Sequence, residues 1–189
     1  MTTLVFCLEE PSAKEMLKGV LPRLLPDGIW VEYIVFEGKQ DMHKQLVRKL
    51  RYWQQPNSRF VVMRDQDNGD CRAIRQQLLE LCIEAGRADA LVRVACHELE
   101  SFFLGDLAAV EKGLALNELA KQQEKRKFRN PDTLANAAEE LTKLTRRHYQ
   151  KMDGSRRIGP RLSLDGCNKS HSFNVLTEGV KRIVKEMMQ

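Results

Sequence analysis

Residues 60–67 read Phe-Val-Val-Met-Arg-Asp-Gln-Asp, a short apolar run with two aspartates close behind it. A continuous apolar run of this length is typical of a strand buried on both faces of a parallel sheet. The aspartates then lie where the chain leaves the carboxyl end of that strand. We interpret the stretch as a buried strand that carries acidic side chains to one edge of a sheet.

Strands are also predicted at residues 4–8, 30–36 and 91–96, and the segments between the strands have apolar residues at helical spacing. Ser12 is expected to cap the first of these helices. Alternating strands and helices predict an α/β fold with a mostly parallel four-stranded sheet sandwiched by helices. We assign residues 1–105 to this core and residues 106–189 to a mainly helical, basic C-terminal extension packed on the core.

The net charge of +5 on the 189 residues is unevenly distributed. The first 120 residues hold 15 Lys/Arg and 18 Asp/Glu, a net of −3, and the other 69 hold 16 and 8, a net of +8. An acidic part beside a basic part suits a metal site next to a surface that binds a polyanion. A solvated basic surface with no ligand fits the charge equally well.

Composition excludes several classes of protein. No apolar run approaches the roughly 20 residues of a bilayer span, and the apolar run after Met1-Thr2-Thr3 has no basic leader, so a cytoplasmic protein without a membrane partner is expected. Five cysteines without a Cys-x-x-Cys pair indicate buried thiols rather than disulfides or a zinc site. Nucleotide-binding glycine motifs and a Gly-x-Ser-x-Gly hydrolase motif are missing.

Acidic residues follow three of the four predicted strands. Glu9 follows the first, Asp65 and Asp67 the third, and Glu98 and Glu100 the fourth. Ligands of open parallel sheets bind outside the carboxyl ends of the strands. Converging carboxylates raise one another's pKa unless a cation neutralises them, and hard cations such as Mg²⁺ or Mn²⁺ take oxygen ligands. The sequence therefore predicts a divalent-metal site at this edge.

Three acids are secondary candidates for this site, and each has an ordinary alternative. Asp70 is placed equally well to cap the third helix. Glu98 stands at the start of a helix, where the dipole favours an acid, and Glu10 fits a solvent-facing position. His97 lies beside the acids and could assist a proton transfer, although a structural histidine is the better interpretation.

The positions of these acids resemble those of Toprim domains, found in topoisomerases, primases and the overcoming-lysogenization-defect nucleases. Toprim domains carry a Glu after the first strand and an Asp-x-Asp after the third, matched here by Glu9 and Asp65-Gln66-Asp67. More closely, the chain resembles a bacterial family of small Toprim-like proteins, often encoded beside an ATPase and associated with phage defence. The motifs that carry this resemblance span nearly the whole chain: Leu-Glu-Glu-Pro-Ser-Ala-Lys (8–14), Glu-Gly-Lys-Gln-Asp (37–41), Arg-Asp-Gln-Asp (64–67), Cys-His-Glu-Leu-Glu-Ser-Phe-Phe-Leu-Gly-Asp (96–106), Lys-Phe-Arg-Asn-Pro-Asp (127–132), Gly-Ser-Arg-Arg-Ile-Gly-Pro (154–160) and Asn-Lys-Ser-His-Ser-Phe (168–173).

The resemblance implies a Toprim-like fold and metal-dependent cleavage of a nucleic-acid phosphodiester, in DNA or RNA. Asp65 and Asp67 are then expected to hold Mg²⁺ or Mn²⁺, with Glu9 as a ligand or the general base. Glu100, two residues before Phe102, matches an acid of related defence nucleases and is expected to complete the ligand set. The resemblance also implies an effector role in anti-phage defence with an ATPase as partner.

The chain departs from the pattern of its relatives after the first strand. Many relatives read Glu-Gly-x-Thr-Glu there, whereas this chain has Ala13 in place of the second acid, so the resemblance does not imply a second metal. Six residues of the basic half are expected to contact phosphates, with an ordinary solvated surface as the alternative: Lys127, Arg129, Arg156, Arg157, Lys169 and Ser170. Residues 158–160 are interpreted as a tight turn near the sheet edge, directly after the two arginines.

Two other functions remain as alternatives. One is a non-catalytic module that binds nucleic acid or an ATPase and holds a structural cation. The other is phosphoryl or nucleotidyl transfer to a small molecule. The sequence leaves open the number of metals and the oligomeric state, including a homo-oligomer.

Overall fold

The computed structural model, which describes residues 2–189, contains a four-stranded sheet in which all neighbouring strands are parallel. The strands are β1 (Thr2–Leu8), β2 (Ile29–Val35), β3 (Ser58–Asp65) and β4 (Leu91–Ala95). The helices that connect them are α1 (Pro11–Leu24), α2 (Lys39–Arg51) and α3 (Cys71–Glu84). The four predicted strands are all found, and their ends differ from the prediction by at most two residues. The predicted mostly parallel α/β sheet is therefore confirmed.

The strand order β2-β1-β3-β4 places β1 and β3 side by side at the centre of the sheet. From β1 the chain first moves outward to β2 and then returns to the other side of β1, so the direction of winding reverses between β1 and β3. Such a reversal leaves a crevice at the carboxyl ends of the two strands, where ligands of this fold class bind. The register of β1 with β3 pairs Leu8 with Met63. The residues that directly follow these two therefore lie at the crevice.

The two faces of the sheet are covered by different sets of helices. Side chains of β1 alternate, so that Val5 and Cys7 pack with α2 and α3, whereas Leu4, Phe6 and Leu8 pack on the opposite side. Each of these side chains is completely buried, and burying one apolar side chain of this size contributes about 1.5–3 kcal/mol. The sheet is therefore a rigid support for the loops at its edge.

The second face is covered by α1 together with the C-terminal helices. These are α4 (Glu100–Leu104), α5 (Leu107–Leu114), α6 (Ala137–Leu144), α7 (Lys151–Ile158) and α8 (His171–Met187), with short 3-10 helices at residues 120–122, 126–128, 131–133 and 159–161. Their apolar side chains form one continuous cluster with β1, β3 and β4. The polar, helical character expected after residue 106 is thus observed.

The packing of α7 against α1 requires glycine. A Cβ atom on Gly159 would lie 2.5 Å from the carbonyl oxygen of Met16, which is closer than real Cβ contacts come. The interpretation of residues 158–160 as a tight turn was wrong: Ile158 ends α7, and Gly159–Arg161 continues it as a 3-10 helix. The motif at residues 154–160 therefore docks one helix on another.

The first helix starts differently from the prediction. It begins at Pro11, and Ser12 lies inside its first turn instead of capping it, because proline is favoured at the first helical position. The Ser12 hydroxyl donates a hydrogen bond to Glu10 Oε2 at 3.2 Å. This contact orders Glu10 beside the crevice.

The five cysteines are free thiols. Cys7 and Cys82 are buried, and burial raises the pKa of the Cys82 thiol to about 12. Cys167 is exposed, so the prediction of buried thiols was wrong for that residue.

Among residues 2–189 no helix combines the length and the apolar character that a membrane crossing requires.

Candidate functional site

Glu9 and Asp65 meet at the crevice between β1 and β3. The backbone N–H of Asp65 donates a hydrogen bond to Glu9 Oε2 at 3.0 Å. The Glu9 backbone is fixed from both sides, since its N–H donates to the carbonyl of Met63 at 3.3 Å and its carbonyl accepts from the N–H of Gly38 at 3.1 Å. The pairing of β1 with its two neighbouring strands therefore aligns the two acids.

Glu100, the first residue of α4, is the most deeply buried acid of this edge. Only 1% of the residue is exposed. Its Oε1 accepts a hydrogen bond from the Tyr149 hydroxyl at 2.8 Å, whereas its Oε2 is buried without a hydrogen-bond partner. A buried polar atom without a partner costs about 1–3 kcal/mol. A cation or another donor beside Oε2 would remove that cost.

Burial raises the pKa of all three acids. The pKa of Asp65 is raised well above its usual range, first because the carboxyl is buried and then because of the nearby charges of Glu100, Glu10 and Glu9. The pKa of Glu9 is raised because burial outweighs the hydrogen bond from the Asp65 N–H. Burial also raises the pKa of Glu100, against the hydrogen bond from Tyr149. The three carboxyls share surroundings that disfavour their charged forms.

Protein cations neutralise the outer acids of this edge. Lys151 Nζ lies 2.5 Å from Glu10 Oε2, and although burial lowers the pKa of Lys151, its hydrogen bond to Glu10 raises that pKa overall. The buried Arg64 places Nε 3.8 Å from Glu9 Oε2. Asp65 and Glu100, in contrast, form no ion pair within residues 2–189. The uncompensated negative charge is therefore centred on these two residues.

Asp67 lies on a different side of the same edge. The backbone of Asp67 is left-handed, with φ of 54°. Its N–H donates a hydrogen bond to the carbonyl oxygen of His97 at 2.7 Å. Its carboxylate accepts from Lys39 Nζ at 2.8 Å, and Arg64 Nη2 lies 3.7 Å away. The side chain is 39% exposed. The two aspartates of the Asp-x-Asp motif thus have different partners.

The secondary candidates make contacts of their own. Asp70 Oδ1 accepts a hydrogen bond from the Ala73 N–H at 2.7 Å and caps α3, as the alternative interpretation expected. Glu98 Oε2 accepts from the Ala138 N–H at 2.7 Å, at the start of α6. The His97 ring nitrogen Nδ1 lies 3.1 Å from the Asp67 carbonyl oxygen, so this histidine joins the loops after β3 and β4.

Most of the predicted phosphate-binding residues have partners inside the protein. Four form ion pairs: Arg156 with Glu15 at 2.7 Å, Arg157 with Asp153 at 3.5 Å, Lys127 with Glu140 at 2.6 Å and Arg129 with Glu124 at 3.8 Å. Ser170 is completely buried, and its hydroxyl donates to Asp132 Oδ1 at 2.6 Å and caps α8. A phosphate contact by Ser170 is incompatible with this burial. Lys169 is exposed.

The acids of this edge have oxygen donors of the kind that a divalent metal requires. Residues 2–189 contain no group of three or more His, Cys, Asp and Glu side chains arranged as a complete metal site. The donor chemistry nevertheless fits a hard cation, because the carboxylates of Glu9, Asp65 and Glu100 supply only oxygen and Glu100 Oε2 has no partner. A small cavity of about 10 Å³ lies between Glu9 and Asp65.

Sequence reasoning missed Tyr149 and Lys151. Tyr149 is buried and hydrogen-bonded to Glu100, 49 positions away in the chain, and Lys151 begins α7 opposite Glu10. Neither residue belongs to a motif that places it beside the acids. The one local signal was an isolated tyrosine in a polar, basic segment, which indicates a buried ring with a hydrogen-bonded hydroxyl.

Comparison with known families places the chain. Residues 8–181 match a family described as a domain of unknown function, DUF4276. The chain belongs to this family. The match covers all the acids of the edge described above. A search of curated proteins gives no significant match.

A solved structure shows a similar fold. The C-terminal region of the Burkholderia pseudomallei OLD protein aligns with a TM-score of 0.52 over 96% of this chain and 98% of that one, at 18% identity. At this identity the likeness concerns the fold alone. It confirms the predicted α/β fold, with a parallel four-stranded sheet, flanking helices and a C-terminal helical part.

Proposed function

We propose that this chain is a divalent-metal-dependent nuclease of Toprim type that cleaves nucleic-acid phosphodiesters. The observation that carries the proposal is the joining of Glu9 and Asp65 at the reversal point of the sheet by a 3.0 Å hydrogen bond. Beside them lies Glu100, a buried acid with an unpartnered oxygen. This combination suits a cation in the crevice where ligands of such sheets bind. The similarity of the fold to the C-terminal region of the OLD protein supports the same proposal.

The buried acids supply the ligands in this proposal. Asp65, Glu100 and Glu9 would hold Mg²⁺ or Mn²⁺, and Asp67 belongs to the same edge beside Lys39. A divalent cation at such a site polarises a phosphoryl oxygen and lowers the pKa of bound water. Glu9 has the alternative role of general base, in which it would accept a proton from the attacking water instead of binding the cation. Lys151, 2.5 Å from Glu10, would offer positive charge to a phosphate oxygen.

An effector role in anti-phage defence with an ATPase as partner is part of the proposal. Its support is the sequence resemblance, which links small Toprim-like proteins to a neighbouring ATPase gene. Co-purification of the chain with the product of a neighbouring ATPase gene tests this part. Failure of the two proteins to associate would remove the partner from the proposal and leave the nuclease chemistry in place.

A non-catalytic binding module is the competing proposal. It is favoured by the protein cations at the edge, because Arg64 and Lys39 already neutralise part of the acidic charge. In such a module a cation in the crevice would have a structural role. Cleavage separates the two, since both can bind Mn²⁺ but only the nuclease requires Mn²⁺-dependent cleavage that Asp65→Asn abolishes.

The nuclease activity is tested by incubating the purified chain with transfer RNA, single-stranded RNA and plasmid DNA in Mn²⁺ or in EDTA. We expect cleavage of one substrate class in Mn²⁺ that EDTA abolishes and that Asp65→Ala removes while circular dichroism stays unchanged. Absence of EDTA-sensitive cleavage of every substrate, with and without the neighbouring ATPase, would refute the nuclease proposal. Full activity of Asp65→Ala would instead show that the active site lies elsewhere.

A further inference from the structure

Arg146 and Arg147 connect α6 to α7 and differ from the cations chosen from the sequence. Both arginines are exposed. Arg156 and Arg157, the other consecutive pair of arginines, form ion pairs with Glu15 and Asp153. Neither Arg146 nor Arg147 forms an ion pair within residues 2–189. Their charges are therefore available to an external anion.

The backbone of these two arginines is unusual. Arg146 has φ of 49° and Arg147 has φ of 66°, both in the left-handed region that glycine and asparagine adopt more readily. Hydrogen bonds from their N–H groups to the carbonyls of Lys143 at 3.1 Å and Thr142 at 2.8 Å hold this conformation at the end of α6. These two left-handed residues end α6 and turn the chain toward α7.

The two arginines line clefts that adjoin one another around α6. Arg146, Arg147 and Lys143 line a cleft of about 740 Å³. Arg146 also lines a cleft of about 420 Å³ on the other side of the helix end, with His148. Lys143 and Lys127 line a third cleft of about 260 Å³. Each cleft also holds an acid that pairs with a lysine: Glu139 in the first, Glu118 in the second and Glu140 in the third. Arg146 and Arg147 thus add unpaired positive charge to one continuous surface that also carries these ion pairs.

This surface is attached to the acidic edge at both of its ends. At one end the Ala138 N–H donates to Glu98 Oε2 at 2.7 Å. At the other end the Tyr149 hydroxyl donates to Glu100 Oε1 at 2.8 Å. The segment that carries the two arginines is thus held between contacts to two acids of the edge.

We propose that the clefts around α6, with Arg146 and Arg147 as the principal contacts, bind the phosphate backbone of a nucleic-acid strand. The inference rests on the proposed nuclease function and adds the surface that delivers the substrate. Phosphate contacts made by arginine supply sequence-independent affinity and position a strand. The surface shares Lys127 with the one expected from the sequence, whose arginines form ion pairs with Glu15, Asp153 and Glu124.

Binding is measured in EDTA, by the anisotropy of a short fluorescein-labelled strand prepared both as DNA and as RNA, over a series of salt concentrations. The test variant carries Arg146→Asn and Arg147→Asn, because asparagine tolerates the left-handed backbone. The matched control carries Arg156→Gln and Arg157→Gln, which removes the same charge from α7. A third variant, Arg146→Lys with Arg147→Lys, keeps the charge.

We expect the asparagine variant to bind at least about tenfold more weakly than the wild-type chain at low salt. The slope of log affinity against log salt should fall by about 1.4–1.8, which corresponds to two lost phosphate contacts. The lysine variant should bind like the wild-type chain, and the control should lose much less affinity than the asparagine variant. A circular dichroism spectrum and Tm of the asparagine variant that match those of the wild-type chain exclude misfolding as the cause of the loss.

The inference is overturned if the asparagine variant binds as tightly as the wild-type chain, if the control loses as much affinity, or if the wild-type chain binds neither strand. Cleavage assays keep the two proposals apart. Cleavage by a wild-type chain whose binding does not depend on Arg146 and Arg147 supports the nuclease and refutes the binding surface. Binding that depends on the two arginines in a chain that cleaves nothing supports the surface and refutes the nuclease.

Discussion

The two aspartates of the Asp-x-Asp motif occupy opposite sides of the acidic edge. Asp65 faces the side formed by α4 and α7, where Glu100 and Tyr149 are buried and no protein cation pairs with it. Asp67 faces the side formed by α2, where Lys39 holds its carboxylate at 2.8 Å in partial contact with solvent. Two aspartates separated by one residue therefore differ in how much a bound cation would lower the cost of their negative charge. In the proposed metal site, burial and pairing rather than the motif therefore favour Asp65 over Asp67 as the central ligand.

Single substitutions should separate the two aspartates. We expect Asp65→Ala to lower metal-dependent cleavage by about a thousandfold or more, since a metal contributes several kcal/mol to the transition state and each 1.4 kcal/mol is tenfold in rate. Asp67→Ala should lower it by about ten- to a hundredfold, as supporting groups of metal sites do. Rates of both variants at saturating Mn²⁺ check the order. Equal losses would show that the motif acts as a symmetrical pair.

The buried side of the acidic edge, formed by α4 and α7, also depends on Tyr149. Tyr149→Phe removes the hydrogen bond to Glu100 Oε1 and leaves both oxygens of a buried carboxylate without a donor. We expect the affinity for Mn²⁺ to fall by about ten- to a hundredfold, because the hydroxyl orients a ligand. Calorimetric titration with Mn²⁺ measures it. Asp67→Asn is the matched variant on the exposed side, and a larger loss there would reverse the comparison.

The sequence predicted the parts of this edge that depend on strand pattern. The apolar run before Asp65 and the acids after three of the four strands were sufficient to predict that Glu9, Asp65 and Glu100 share one edge. The environment of each acid depends on residues far away in the chain, such as Tyr149, which strand periodicity does not reveal. The pairing of Arg156 in α7 with Glu15 in α1 is likewise a tertiary contact. Net charge predicted a basic half without distinguishing its paired cations from its free ones.

The stability of the metal-free chain should depend on Asp65 and hardly on Asp67. Burial and the charge of Glu100 raise the pKa of Asp65, so its protonated form is favoured in the folded state. Stability from this group is complete below the ordinary Asp pKa of about 3.9 and is lost as pH rises through the folded pKa.

Asp65→Asn mimics the protonated acid and should therefore raise Tm in EDTA near pH 8 by at least about 2–4 °C, the change that ~1 kcal/mol causes in a chain of this size. The gain should shrink as pH falls toward 4. Asp67→Asn loses the exposed ion pair with Lys39 and the longer 3.7 Å pair with Arg64, and should change Tm little at either pH. Thermal melts at both pH values measure the effect, and an Asp65→Asn chain less stable than the wild type in EDTA would contradict it.

Asp70, the next aspartate along the chain after Asp67, provides a third case because its partner is a backbone N–H. Its Oδ1 accepts from the Ala73 N–H at 2.7 Å at the start of α3. Asp70→Ala should cost about 1 kcal/mol of unfolding free energy, the usual cost of a lost N-cap, and should leave cleavage within about twofold of the wild type. Urea unfolding and Mn²⁺-dependent cleavage measure the two effects. Asp70→Ser keeps a capping oxygen without the charge and should restore stability, whereas a large activity loss in both variants would place Asp70 among the metal ligands.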